Sequence, residues 1–265
     1  MKHLIGVLSL IFVFSWSHQA YAISTCLHSD VEEIEFSDSE IAWLVLNVGA
    51  DEVNLTGTND DIATLTVRKC ASNPDVLDQM VFDTDKRGDR LRVSMTDSSI
   101  QRGGFFRWLI GQGNQYSYFR IEGSIPKSWG VEIDLGSGFA RFEHVRALRF
   151  EVGSGNLEAN YINGMITGEL GSGDVELRSV GAITMSDIGS GDMIVREAGG
   201  DVLIEDIGSG DFTIRNLMGN LLVESLGSGD VSAYSVAGSV TVMEKGSGDV
   251  SVSDVQGEVN IDGAR

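Results

Sequence analysis

Proline is nearly missing from this chain of 265 residues, with only Pro74 and Pro126 present. That excludes a proline-rich disordered chain, and an apolar content of 42% is enough to fill a core. Basic residues are scarce too: 19 Lys and Arg stand against 39 Asp and Glu, for a net charge of -20. Such a field repels nucleic acid and anionic headgroups and favours solubility, cations or basic partners. Of four histidines only His28 and His144 lie beyond the first 22 residues, and no Gly-x-Ser-x-Gly nucleophile elbow occurs. After Trp16 no stretch is apolar and long enough to cross a bilayer as a helix, so no integral membrane span is expected there.

What is present begins with Lys2, an apolar run from Leu4 to Trp16 and a polar stretch ending in Ala20-Tyr21-Ala22. These are the three regions of a secretory signal peptide, residues 1–22, with cleavage expected after Ala22. The apolar run is too short to span about 30 Å of hydrocarbon. A lipoprotein reading through Ile23-Ser24-Thr25-Cys26 is the lesser one, because Thr25 is bulky before a lipidated cysteine. The chain is therefore read as exported, to the periplasm, the cell surface or the medium. Cys26 and Cys70, the only cysteines, suit an oxidising compartment. Without Cys-x-x-Cys spacing they are expected to form a structural disulfide rather than a redox or metal pair.

Residues 23–130 read as an N-terminal β region. Ala42 to Val48, Glu52 to Leu55, Ala63 to Arg68, Met80 to Asp83, Leu91 to Met95 and Tyr118 to Ile125 have strand character, separated by Gly, Asn and Asp turn signals. Cys70 to Asp78 reads as a loop containing Pro74. Between Gly103 and Gly113, Phe105, Phe106 and Trp108 crowd into a glycine-flanked segment. Exposed, they would form a partner or membrane patch; the stronger reading is a cover over the β core, since solenoid ends need covering.

Residues 131–265 carry the chain's most regular feature. Gly-Ser-Gly returns at Gly136, Gly153, Gly171, Gly189, Gly208, Gly227 and Gly246, in steps of 17, 18, 18, 19, 19 and 19 residues. Each period divides at a second glycine into two half-units. In the first, apolar residues fall at Val175, Leu177 and Val180; in the next, at Ile183, Met185 and Ile188. Period-two spacing puts them on one face of a strand. One such strand cannot bury its face alone, but identical turns stacked at about 4.8 Å can, which is the signature of a solenoid. The expectation is an all-β, right-handed parallel β-solenoid with coils of about 18–19 residues, continuous with the less regular N-terminal part. The glycines are expected at the corners, where positive φ and close backbone approach suit them. A β-sandwich uses similar strand spacing but does not explain a repeated corner tripeptide.

The tandem units Gly171-Ser172-Gly173-Asp174-Val175 and Gly246-Ser247-Gly248-Asp249-Val250, behind an exported strand-rich half, resemble the bacterial "putative adhesin" family of β-strand repeat proteins of unknown function. That family is related to the autotransporter-adhesin head GIN domain. The resemblance covers roughly Val45 to Ile261 and implies a β-solenoid on the cell envelope.

The residue after the tripeptide is Asp174, Asp192, Asp211, Asp230 and Asp249, but Phe139 and Asn156 in the first two turns. Stacked in register, like charges one strand apart repel by roughly 1 kcal/mol even in water. The offset is read as hydrogen bonds from each carboxylate to amides of its own turn. The alternative is bound Ca²⁺, the one cofactor considered, which takes several oxygen ligands. Calcium-binding β-rolls, however, use Gly-Gly-x-Gly-x-Asp nonapeptides, which these units lack. A uniform ladder gives no reason for one carboxyl pair to differ in pKa, as glycoside hydrolysis requires, so no catalytic residue is assigned.

The function expected is a non-catalytic envelope or extracellular scaffold contacting another macromolecule. Alternatives are a carbohydrate-active enzyme on a β-helix and a Ca²⁺-stabilised rod. Val259 and Ile261 keep the inward pattern close to Arg265, which suggests an exposed edge suited to end-to-end self-assembly.

Overall fold

The computed structural model describes residues 26–97 and 116–263. The signal peptide reading and the Phe105, Phe106 and Trp108 patch lie outside the described residues.

The N-terminal part comprises β1 (His28–Phe36), β2 (Trp43–Val48), β3 (Glu52–Thr58), β4 (Ala63–Ala71), α1 (Pro74–Leu77), β5 (Met80–Arg87), β6 (Arg90–Asp97) and β7 (Ser117–Pro126). Next come β8 (Gly130–Leu135), β9 (Phe139–Glu143), β10 (Leu148–Val152), β11 (Asn156–Asn160), β12 (Ile166–Leu170), β13 (Asp174–Val180), β14 (Ile183–Ile188) and β15 (Asp192–Ala198). The series ends with β16 (Val202–Ile207), β17 (Phe212–Leu217), β18 (Leu221–Leu226), β19 (Val231–Val236), β20 (Val240–Lys245), β21 (Val250–Val255) and β22 (Val259–Gly263).

From β8 onward each coil gives one strand to each of two sheets. The first sheet runs β1-β4-β7-β3-β9-β11-β13-β15-β17-β19-β21, and the second β22-β20-β18-β16-β14-β12-β10-β8-β2-β6-β5. Within the repeats every pairing is parallel, and the register steps follow the tripeptide spacing: Asn156 faces Phe139, Asp174 faces Asn156, and Phe212 faces Met193. This is the stacked β-solenoid anticipated from the repeats. The inward positions named for the two half-units, Val175, Leu177, Val180, Ile183, Met185 and Ile188, are all buried. The apolar columns of the two sheets meet in one continuous core.

Chain order and spatial order part company at the N-terminal end. The coil made by β2 and β3 lies between β6 and β8 in one sheet and between β7 and β9 in the other. The coil after it in sequence, β6 and β7, is therefore placed before it in space. Beyond that coil the direction changes: β4 pairs antiparallel with β7, β1 with β4, and β5 with β6. Antiparallel strands interrupt the coil pattern and close this end. β1 escapes an alternation-based reading because His28 to Glu33 are all exposed. Within the expected loop, α1 is a single turn capped by the Asn73 side chain, which accepts from the Val76 amide at 2.9 Å. Cys26 and Cys70 are bonded to each other, tying the start of β1 to β4. At the other end Val250, Val252, Val255 and Ile261 are only partly buried, and Val259 is 46% exposed.

One expectation about the corners fails. Among the described residues the only glycines with positive φ are Gly88 and Gly123, neither in the repeats. The left-handed backbone sits instead on His144, Tyr161, Ser179, Glu197, Asn216, Ser235 and Asp254, with φ from 53° to 68°, one per coil. This column bends the end of each first-sheet strand into the second corner. The tripeptide glycines answer to proximity alone: a Cβ on Gly229 would lie 1.8 Å from the carbonyl oxygen of Gly210 in the coil below. That closeness lets one carbonyl serve two donors. The Gly136 oxygen accepts from Ser154 at 2.7 Å and from Gly155 at 3.0 Å, and later coils repeat the arrangement.

Candidate functional site

The corner carboxylates come first, because the sequence singles them out. Asp211 accepts the backbone N–H of Asp230 through Oδ1 at 2.9 Å, and Asp230 accepts that of Asp249 at 2.8 Å. The partner is the next coil's amide rather than the carboxylate's own turn, as the sequence reading had it. In the shorter coils the corresponding amides reach a carbonyl directly: Asp174 donates to Gly155 at 3.1 Å and Asp192 to Gly173 at 3.2 Å. Asp174, Asp192, Asp211, Asp230 and Asp249 thus form a corner column, all exposed. Among the described residues no three His, Cys, Asp or Glu side chains gather as a metal-binding group.

A second ladder escaped the sequence reading. Between Val180 and Ile183 the corner has two residues, whereas between Ala198 and Val202 it has three, and the added one is Asp201. Its Oδ1 accepts from the Asn220 amide at 2.8 Å; Asn220 in turn accepts from Ser239 at 2.9 Å, and Ser239 from Glu258 at 3.1 Å. Asp, Asn and Ser one coil apart after a corner glycine are the available signal. Short polar side chains at such places cap backbone donors. Both ladders therefore hold coils together.

Departure from the repeat is greatest on the outer face of the second sheet, near its closed end. Trp43 on β2 is paired with Arg90 on β6 and Gly130 on β8. A Cβ on Gly130 would lie 2.5 Å from the indole ring, so the missing side chain is what lets Trp43 lie flat across β8. Three guanidinium groups gather on that ring, Arg149 at 4.5 Å from its centroid, Arg146 at 5.0 Å and Arg90 at 5.8 Å. Each such contact contributes about 0.5–1 kcal/mol at an exposed site. Arg146 also donates to the Ser128 carbonyl at 2.7 Å, and Arg90 to Glu132 at 2.6 Å. Arg149 is 3.9 Å from Glu132, and exposed Arg92 lies one strand beyond Val45.

An open groove of about 530 Å³ adjoins the arginines. One row along it reads Arg92, Val45, Glu132, Arg149, Thr167 and Thr184, in register across six strands. The next reads Asn47, Asp134, Glu151 and Glu169. The register slips between Gly168 and Glu169 against β14, which admits Ser186 as an extra residue. Farther along, partial burial first, then the charges of Asp206 and Glu169, push the Asp187 carboxyl above its usual range. No sequence signal joins Trp43, Arg90 and Arg146, which meet only because β6 is placed beside β2 and β2 beside β8.

With this geometry in view, family comparison is decisive on kinship. The sequence model of the Toastrack DUF4097 family matches residues 41–264. The chain belongs to that family. Toastrack domains are thus represented here over all but the leading segment. No curated protein matches. Among solved structures similar to this Toastrack chain is a "putative adhesin" from Bacteroides fragilis NCTC 9343, 12% identical, covering 88% of this chain and 97% of that one, with a TM-score of 0.47. Another is a "putative lipid binding protein" from Parabacteroides distasonis ATCC 8503, 17% identical over 88% and 97%, with a TM-score of 0.41. A third is a "putative cell adhesion protein" from Clostridium sporogenes ATCC 15579, 14% identical over 89% and 99%, with a TM-score of 0.32.

Proposed function

We propose that this chain is a non-catalytic scaffold, exported to the cell envelope or beyond, that presents the outer face of its second sheet to another macromolecule. One observation carries the reading. In a chain of net charge -20, four arginines, Arg90, Arg92, Arg146 and Arg149, meet at one place on that face, three of them stacked on Trp43. Arginine and aromatic side chains are the ones most used to anchor interfaces. The repeated carboxylates, in contrast, have structural work: Asp211, Asp230 and Asp201 each hold a backbone donor of the next coil. Export is supported by the leading signal-like segment and by the disulfide between Cys26 and Cys70.

The test is adsorption of the labelled chain, from Ile23 onward, to bacterial envelope preparations. Trp43→Ala and Arg149→Glu are expected to lower the bound fraction at least tenfold while the melting temperature moves by only a few degrees. Binding unchanged in both variants would overturn the reading, and turnover of envelope polysaccharide by the purified chain would overturn its non-catalytic part.

A further inference from the structure

We infer that the groove beside Trp43 binds an anionic polysaccharide, a sugar chain carrying carboxylate groups. This rests on the display function proposed above and names the partner class.

The groove crosses strands instead of following one. Arg92 on β6 and Thr184 on β14 mark the ends of its upper row, five strand spacings apart, or about 24 Å at the β repeat. That suits an extended chain of several sugar rings better than a compact small molecule. Its polar groups are of two kinds. Arg92 and Arg149 are exposed guanidinium groups, and Arg149's only partner among the described residues besides the Trp43 ring is Glu132 at 3.9 Å. Guanidinium donors in a planar fork match a carboxylate in bidentate fashion. The remaining groups are the Asn47 amide, the carboxylates of Glu132, Asp134, Glu151 and Glu169, and the hydroxyls of Thr167, Thr184 and Ser186. Those are the acceptors and donors that sugar hydroxyls need.

The mixture selects among anions. Nucleic acid carries one charge per roughly 1.7 Å of duplex, so in this groove its phosphates would meet Glu132 on the arginine row and Asp134, Glu151 and Glu169 on the next, as well as the arginines. An acidic saccharide separates its carboxylates by neutral, hydroxyl-bearing stretches. Its charges can sit at Arg92 and Arg149, three strands apart in the row, while hydroxyls face the carboxylates between and beyond them. Trp43 does not stack on sugar in this arrangement. Its ring lies across Gly130 under Arg90, Arg146 and Arg149, and so acts as a positioning residue for the guanidinium groups.

Isothermal titration of the full chain with hyaluronan oligosaccharides, which carry one carboxylate on every second ring, tests this at low ionic strength beside neutral dextran, inorganic polyphosphate and phosphatidylglycerol vesicles. Hyaluronan is expected to bind, and the other three more weakly or not at all. Arg92→Glu with Arg149→Glu should weaken hyaluronan at least tenfold. The uncharged change Thr167→Val with Thr184→Val should weaken it threefold or more, which simple charge attraction would not. Absence of hyaluronan binding, equal binding by the arginine variant, or tighter binding of polyphosphate or vesicles overturns the inference. Should the double Glu variant not fold by circular dichroism, Arg92→Gln with Arg149→Gln takes its place. Envelope adsorption that persists without hyaluronan binding removes the saccharide inference alone; loss of its dependence on Trp43 and Arg149 removes the display reading as well.

Discussion

The carboxylate of Asp211 accepts the backbone N–H of Asp230, nineteen residues and one coil away, at 2.9 Å. A side chain that sequence inspection marks as a ligand candidate is thereby used to join two coils. Asp230→Ala removes the acceptor for the Asp249 amide and is expected to destabilise the fold by about 0.5–2 kcal/mol, the range for losing a side-chain cap. Asp230→Asn keeps Oδ1 and should cost far less. Melting curves of the two variants, each in excess Ca²⁺ and in chelator, check this. The expected result is a gap between variants and no shift with Ca²⁺.

Corner glycines and left-handed residues exchange their customary roles, and paired substitutions separate them. Gly229→Ala drives a Cβ to within 1.8 Å of the Gly210 oxygen, so a loss of about 1–3 kcal/mol or more is expected from overpacking. Ser235→Gly releases a left-handed strain worth about 1–2 kcal/mol in an L residue, partly offset by the 0.5–1 kcal/mol entropic cost of glycine. Denaturant melts should place Gly229→Ala well below the parent chain and Ser235→Gly level with it or slightly above.

Asp51 gives the fold a pH dependence. Burial first, and the nearby charge of Asp97, raise its carboxyl above the usual range, against bonds from the Phe119 and Gly49 amides that lower it. The Phe119 amide reaches Oδ1 at 2.7 Å. A folded pKa above the unfolded one means that the folded state holds more protons in the interval between them. The stability from this group is complete below the unfolded carboxylate pKa and is lost as pH rises through the folded value. Asp51→Asn keeps the acceptor for Phe119 and abolishes the charge. It should be more stable than the parent at neutral pH, and the difference in melting temperature should shrink as pH falls into the ordinary carboxylate range.

The disulfide closes a separation of 44 residues, for which loop entropy gives up to about 4 kcal/mol. Reduction is expected to lower global stability by a few kcal/mol. It should first raise amide hydrogen exchange in β1, whose only strand neighbour among the described residues is β4. Exchange spread evenly over the repeats would contradict that order.

The repeat region was legible because its period and its strand alternation agree: Leu177, Met185 and Ile188 could be assigned inward from spacing, and all are buried. β1 was not, because an exposed edge strand carries no apolar alternation to read. The second ladder at Asp201, Asn220 and Ser239 was present in the sequence as cap-forming residues one coil apart, but lay masked by the more regular Gly-Ser-Gly. The Trp43 cluster was out of reach of any local rule, since Trp43, Arg90 and Arg146 are separated by whole coils.

Sequence alone determined the coil. A strand with apolar residues at every second place must be covered, and identical neighbours at fixed spacing are the cheapest cover available to it. Tertiary structure decided which coil lies beside which. Placing β2 between β6 and β8 is a choice between non-local pairings that no single period encodes, and it alone brings Trp43 over Gly130 and gathers the arginines on one face.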